Sequence, residues 1–283
     1  RRQLRDLRGR LSDFFPVEVF CQGGEEMKKF AIAGCGRLGR IVAQAWKNGL
    51  LPGYELCGTY SRTFGHTESL ASDFGCRPCR TIDDIIALAP DIVVETASPA
   101  AMKEIAVELL SHGISIVTLS VGALADEAFY AMVARTASDS GAKVYIASGA
   151  TGGFDVLQTA ALMGDADAHF FNEKGPDALK GTPVYDDSLQ SEKREVFHGT
   201  AREAIGLFPT KVNVTVAASR ASVGPEKMDV SMVSTPGFTG DTQRVEIRNR
   251  HVRAVVDVYS ATSEIAAWSV VRVLRNISSP IVF

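Results

Sequence analysis

No apolar run in the 283-residue sequence exceeds the size of a β-strand, Ile92-Val93-Val94 being typical, so no segment is expected to span a bilayer. There is no basic excess either. The chain has 30 Lys and Arg against 33 Asp and Glu, and no Lys/Arg cluster follows the first ten residues, so nucleic acid is not an expected partner. Cysteine is scarce: Cys21, Cys35, Cys57, Cys76 and Cys79 are an odd number confined to the first third. That pattern is no disulfide framework and fits a reducing, cytoplasmic setting. Cys76-Arg77-Pro78-Cys79 is a lone C-x-x-C without further ligands at zinc spacing, so no metal is expected. It reads as a loop or strand pair in preference to a redox motif. With 46% hydrophobic and 22% charged residues, wholesale disorder, collagen-like sequence and coiled coil are excluded.

What is present begins at Met27. Residues 1–26 carry five Arg in the first ten positions but no apolar signal core. Met27-Lys28-Lys29 running into Phe30-Ala31-Ile32-Ala33 resembles a natural start, so residues 1–26 are expected to be a disordered leader of translated upstream sequence or an expression artefact. From there, short β-branched runs alternate with helix-period segments. Strands are predicted at 29–33, 54–60, 91–95, 115–119 and 143–146, and helices at 38–48, 82–88, 100–111 and 126–140. This is the pattern of a Rossmann-type, doubly wound parallel α/β sheet.

After Gly149 the character changes. A helix is predicted at 156–163, strands at 169–171, 194–197, 227–234, 244–247 and 253–259, and helices at 201–207, 212–221 and 263–274. Clustered strands with helices between them predict a second, α+β domain with a mostly antiparallel sheet. The polar, Gly/Pro-rich stretch 173–191 is long enough for a functional loop or lid. The expected division is 27–149 for a dinucleotide-binding domain, 150–262 for a substrate domain, and 263–283 for a helix packing back toward the first domain.

Gly34-Cys35-Gly36-Arg37-Leu38-Gly39 follows the first strand and opens a helix, the context in which G-x-G-x-x-G signifies dinucleotide binding. Gly34 allows the tight turn, Gly36 admits a pyrophosphate, and Gly39 lets helix and strand pack closely, with Arg37 and Leu38 at the helix N-terminus. Where an NAD-binding sheet places a carboxylate after its second strand, this chain has Tyr60-Ser61-Arg62-Thr63. The hydroxyl of Ser61 and the guanidinium of Arg62 suit a 2′-phosphate, so NADP is the expected cofactor, with NAD tolerated. Ala97 and Ser98, and Ala123, lie in loops after later strands where open sheets meet their ligands.

The GCGRLG fingerprint, the ETASPAA and SVGALAD loops, the ASGATGGFDVLQ hinge, the KGPDALKGTP loop, the FHGTAREAIGLFPTKVNVTVA segment and the WSVVRVLRNI helix resemble L-aspartate dehydrogenases from Met27 to the end. The resemblance implies oxidation of L-aspartate, or a related amino acid, to an imino acid with NAD(P). It also implies cofactor contacts from Ala150 and Asn213, a small-molecule amino-acid or oxo-acid partner, and a homodimer. The chain departs from the family at Ser234–Gln243. The position of the family's catalytic histidine falls on Gln243, that of its asparagine on Asp241, and that of its first aspartate on Thr235. The N-P-K-T signature has become Tyr259-Ser260-Ala261-Thr262.

Glutamine cannot take up the proton an ammonium group sheds, whereas Asp241 can, and on an extended strand i and i+2 share a face. Lys174, which the resemblance retains, can bind a carboxylate or act as an acid. The five histidines, His66, His112, His169, His198 and His251, fit capping or surface roles. The expected catalytic set is therefore Gln243, Asp241 and Lys174. The competing reading is a dinucleotide-binding regulatory protein without chemistry.

Overall fold

The computed structural model describes residues 27–208 and 212–283, so the expected leader and Cys21 lie outside the described residues. Strands β1 (Lys28–Ala33), β2 (Tyr54–Tyr60), β3 (Arg77–Cys79), β4 (Ile92–Glu95), β5 (Ser115–Thr118) and β6 (Val144–Ile146) form a sheet in the order β3-β2-β1-β4-β5-β6. Every pairing in it is parallel. The order reverses between β1 and β4, the switch point at which doubly wound sheets receive a ligand.

Helices α1 (Arg37–Lys47), α2 (Phe64–Phe74), α3 (Ile82–Ile86), α4 (Pro99–Ser111) and α5 (Glu127–Ser140) connect these strands. Their starts are set by local chemistry. Thr81 and Asp84 form a reciprocal capping box for α3. Ser98 Oγ accepts the Ala101 N–H before Pro99-led α4, and Asp126 Oδ1 takes the Ala128 and Phe129 N–H groups of α5.

The second unit contains α6 (Phe154–Leu162), β7 (Asp167–Lys174), β8 (Arg194–Thr200), α7 (Ala201–Leu207), α8 (Asn213–Arg220), β9 (Asp229–Ser234), β10 (Asp241–Arg248) and β11 (Arg253–Ser260). Its sheet runs β11-β10-β7-β9-β8, antiparallel except between β7 and β9. Leu157 and Ala160 of α6, Ala201 and Ala204 of α7 and Ala218 of α8 pack on Phe170, Val230, Val245 and Ile247 of the sheet. The last helix, α9 (Glu264–Ser278), returns to the first sheet, where Ala267, Val270, Val271 and Leu274 share a core with Phe30, Ile32, Val42 and Val94. The Tyr54 hydroxyl donates to Leu274 O at 2.9 Å, pinning β2 to that helix.

Three differences from the sequence reading have physical causes. Helix α2 was not anticipated, and strand β3 only as the loop or strand pair read at Cys76–Cys79. The buried stripe of α2 (Thr67, Leu70, Ala71, Phe74) lies among polar residues, and β3 is a three-residue edge strand containing Pro78. Strands β7 and β10 run past their expected ends because their final inward residues are polar, facing a cavity instead of the core. The 173–191 stretch holds two short 3-10 turns not anticipated from its polar composition, Pro176–Leu179 and Asp187–Gln190, which bury Leu179 and Leu189 while most of their neighbours stay exposed or half-buried.

Candidate active site

The glycine turn after β1 is built for close approach. Gly34 has φ +112°, and a Cβ there would come within 2.7 Å of Ala97 N. A Cβ on Gly39 would lie 2.2 Å from Gly34 O, so α1 packs on the turn as only glycine permits. A Cβ on Gly36 would meet nothing within 4 Å, which leaves the space a pyrophosphate needs. Leu38 is half-buried against the α9 core, while Arg37 donates to Ser263 Oγ and lies 3.8 Å from the Glu264 carboxylate at the start of α9. Ser61 is half-buried and Arg62 exposed beyond β2.

The two loops beyond β4 and β5 are tied to one carboxylate that the sequence reading passed over. Glu95 is wholly buried. Its Oε1 accepts from Ala97 N (2.7 Å), Ser98 N (3.1 Å) and Ser120 Oγ (2.8 Å), and its Oε2 from Thr118 Oγ1 (2.6 Å) and Ser120 N (3.2 Å). Burial pushes this carboxyl above the ordinary carboxylate value, against the pull of those donors. An acid closing the apolar run Ile92-Val93-Val94 was the signal for it. Ala123 is buried in the Val121–Ala125 turn after β5, and the neighbouring Gly122 donates its N–H to Asn213 Oδ1 at 2.8 Å.

That bond, with Arg220 reaching Leu124 O (3.0 Å) and Glu127 (2.8 Å), straps α8 to the first unit and sets Asn213 over the second sheet. Directly opposed residues of a sheet share a face. One register row is Ser260–Asp241–Lys174–Ser234, and the next is Val258–Gln243–Asn172–Met232. Deeper rows are apolar, beginning Val256–Val245–Phe170–Val230. The polar rows open into a cavity of about 180 Å³ lined by Ala150, Asn213, Lys174, Asp241 and Gln243 together with Phe170, Asn172, Val214, Thr215 and Met232.

Within it Asp241 is clamped. Its Oδ1 accepts from Asn172 Nδ2 at 2.6 Å and its Oδ2 from Gln243 Nε2 at 2.5 Å, with Lys174 Nζ 3.9 Å from Oδ1. Gln243 Oε1 is buried with no partner, as are Ser234 Oγ and Ser260 Oγ at the same end of the sheet. Buried polar atoms left unmatched are expected where a polar ligand completes them.

Comparison with known proteins accords with this geometry. Residues 34–147 match the family model described as homoserine dehydrogenase, NAD binding domain, and residues 155–277 match aspartate dehydrogenase, C-terminal. An L-aspartate dehydrogenase of Methanosarcina mazei is 31% identical over 271 residues, covering 90% of this chain and 98% of that protein. One of Methanocaldococcus jannaschii is 30% identical over 267 residues with the same coverage. The chain belongs to the L-aspartate dehydrogenase family. The crystal structure of aspartate dehydrogenase from Thermotoga maritima superposes with a TM-score of 0.69 at 26% identity, covering 92% of this chain and 100% of that one.

Of the positions at which the sequence reading set this chain apart from that family, Asp241 and Gln243 line the cavity, whereas Thr235 and Tyr259–Thr262 do not. None of the described histidines lines it. His112 closes α4 with Nδ1 2.9 Å from Glu108 O, His169 and His198 face Ser231 and Asp229, and His251 meets Arg250 in a turn. His66 is exposed on α2. The C-x-x-C is structural: Cys79 ends β3 fully buried, and burial pushes the Cys76 thiol up to about 11. Among the described residues there is no cluster of three or more side chains fit to hold a metal, and no helix long and apolar enough to cross a membrane.

Proposed function

We propose that this chain is an NAD(P)-dependent dehydrogenase that oxidises the Cα–N bond of L-aspartate or a related small amino acid in the cavity over the five-stranded sheet. The observation that carries this is the polar double row: a clamped carboxylate, a buried cation and an unmatched amide oxygen on the cavity side of Asn213 and Ala150. The first unit, 27–149, holds the dinucleotide, 150–262 holds the amino acid, and 263–283 ties the two together through α9.

The residues present fit a dinucleotide, since the open space at Gly36 lies between two positions that admit no side chain. Gly34, Gly36, Arg37, Leu38 and Gly39 would hold the pyrophosphate, and Ser61 and Arg62 the 2′-phosphate, favouring NADP. Ala97, Ser98, Ala123, Ala150 and Asn213 would border the nicotinamide half. The bound nicotinamide supplies the acceptor for a hydride leaving the substrate Cα as the amine becomes an iminium ion.

The chain's own groups manage charge and protons. Lys174 holds the substrate carboxylate. Asp241 takes the proton that the ammonium must lose before the nitrogen lone pair can assist hydride departure. Gln243, held by its own N–H on Asp241, directs Oε1 at the remaining N–H groups. Water then adds to the iminium carbon and releases ammonia and a 2-oxo acid.

The reverse direction provides the test. Small 2-oxo acids, oxaloacetate among them, are mixed with ammonium and NADPH or NADH. The reading predicts ammonium-dependent oxidation, faster with NADPH. NADPH binding without turnover of any oxo acid would contradict it and favour a regulatory role. We further assign the protein to the cytoplasm as a homodimer formed through the uncovered face of the five-stranded sheet, where Arg244, Glu246 and Asp257 are displayed. Sedimentation at the monomer mass would refute the dimer.

A further inference from the structure

A second arginine stands beside Ser61 and Arg62 at the carboxyl end of the six-stranded sheet. Strands β2 and β3 pair in parallel as Gly58–Arg77, Thr59–Pro78 and Tyr60–Cys79. The next residues, Ser61 and Arg80, therefore leave neighbouring strands at the same level, about 5 Å apart, where open α/β sheets receive their ligands.

Two contacts fix Arg80 there. Its backbone N–H donates to Asp84 Oδ2 at 2.8 Å, and the Thr81 N–H donates to the same oxygen at 3.0 Å, tying the turn out of β3 to the start of α3. Its guanidinium carbon lies 3.6 Å from the centroid of the Phe64 ring. Phe64 opens α2 directly behind Ser61-Arg62-Thr63, so the stack brings Arg80 from β3 onto the loop that follows β2.

Two other arginines of this end are engaged differently. Arg37 meets Ser263 and Glu264 at the start of α9, and Arg40 meets Asp73 and Ser69 of α2. Carboxylates and hydroxyls of that kind occupy the in-plane N–H groups of a guanidinium. A ring stacked on its face attracts the charge and leaves those N–H groups to an anion.

With a pyrophosphate at Gly36, the adenosine ribose reaches the residues that follow β2. A 2′-phosphate there carries roughly −1.5 to −2 charge at neutral pH, which two guanidiniums match better than one. A 2′-hydroxyl offers no charge to offset the repulsion between two neighbouring cations. We propose that Arg80, positioned by Phe64, is the second cation of a 2′-phosphate clamp whose first is Arg62, and that the pair selects NADP over NAD. The proposal rests on the NADP reading above and deepens it.

Calorimetry on the full chain tests it with NADPH, NADH, adenosine 2′,5′-bisphosphate and adenosine 5′-monophosphate. The parent should bind NADPH and the bisphosphate about tenfold or more tighter than their counterparts without the 2′-phosphate. Arg80→Gln should weaken both 2′-phosphorylated ligands about tenfold, the worth of one charge-assisted contact, and leave the other two within about twofold. Arg80→Lys keeps the charge without the fork and should recover part of that loss. Phe64→Leu should weaken the same two ligands about threefold and spare the others, a selectivity that a merely structural stack would not produce. Losses shared by all four ligands, or no loss at Arg80→Gln, would overturn the proposal and leave the dinucleotide reading standing. A parent that binds NADPH and NADH alike would overturn it together with the NADP preference. Binding of neither dinucleotide would overturn the dinucleotide reading as well.

Discussion

In the proposed reading the two sheets meet their ligands by different means. At the six-stranded sheet the receiving surface is backbone: Gly34 and Gly39 have no room for a side chain, and the flanking loops are drawn in by N–H groups converging on Glu95. At the five-stranded sheet it is side chains, two register rows supplied by strands far apart in sequence. A backbone cradle recognises what all dinucleotides share and tolerates little change. A side-chain row rests on apolar rows beneath it, Val256–Val245–Phe170–Val230 first, which hold the strands whatever stands above. Side chains in that row, Gln243 among them, can therefore change while the fold persists, whereas a side chain at Gly34 or Gly39 would collide with backbone.

This contrast can be broken from either side. The largest stability effect is expected at Glu95→Gln. In either orientation the new amide directs an N–H at a backbone N–H, so about 2–4 kcal/mol should be lost, a melting decrease of roughly 5–12 °C. Unchanged melting would mean that the loops are held some other way. Gly39→Ala forces a methyl against Gly34 O, 2.2 Å from its ideal position. Overpacking of about 1–3 kcal/mol should weaken NADPH binding severalfold or more, and unchanged affinity would show that the cradle yields.

Arg62→Ala should lower affinity for NADPH about tenfold and leave NADH unchanged, as expected for one charge-assisted contact. Equal losses for both cofactors would remove Arg62 from the 2′-phosphate. The smallest effect is a pH dependence on the opposite face of β7 from the polar rows. The Thr235 hydroxyl (2.6 Å) and then Lys193 (3.0 Å) hold the Glu173 carboxyl below its ordinary value. Its stabilisation is present above the unfolded value of about 4.3 and lost as pH falls through the lower folded value. With Lys193 largely exposed, the effect should stay under about 1 kcal/mol. Glu173→Gln should flatten the acid limb of a melting profile by that amount.

Legibility followed the same divide. The G-x-G-x-x-G turn is local, so six consecutive residues carried it, and strand β2 and helix α7 were predicted to the residue. Asp241 and Gln243 were legible as neighbours on one strand face because the period of a strand is two. Asn172, Ser234 and Ser260 were not, since only the pairing register brings them to that row, and register is a tertiary fact. Strands β7 and β10 were read short for a related reason: a strand end that faces a cavity loses the apolar alternation that announces it. Glu95 was visible as a letter but not as an anchor, because its five donors come from two loops more than twenty residues apart.

The central claim is that the five-stranded sheet carries the proton chemistry through Asp241 while the six-stranded sheet carries the cofactor. Asp241→Asn tests it most directly, because Asn keeps the shape and removes the proton acceptor. NADPH affinity and single-turnover hydride transfer from the preferred amino acid should be measured on the same sample. The account predicts NADPH affinity within about twofold of the parent and hydride transfer slowed by about 10²–10⁴. Hydride transfer at the parental rate would contradict it and send the search for the base elsewhere.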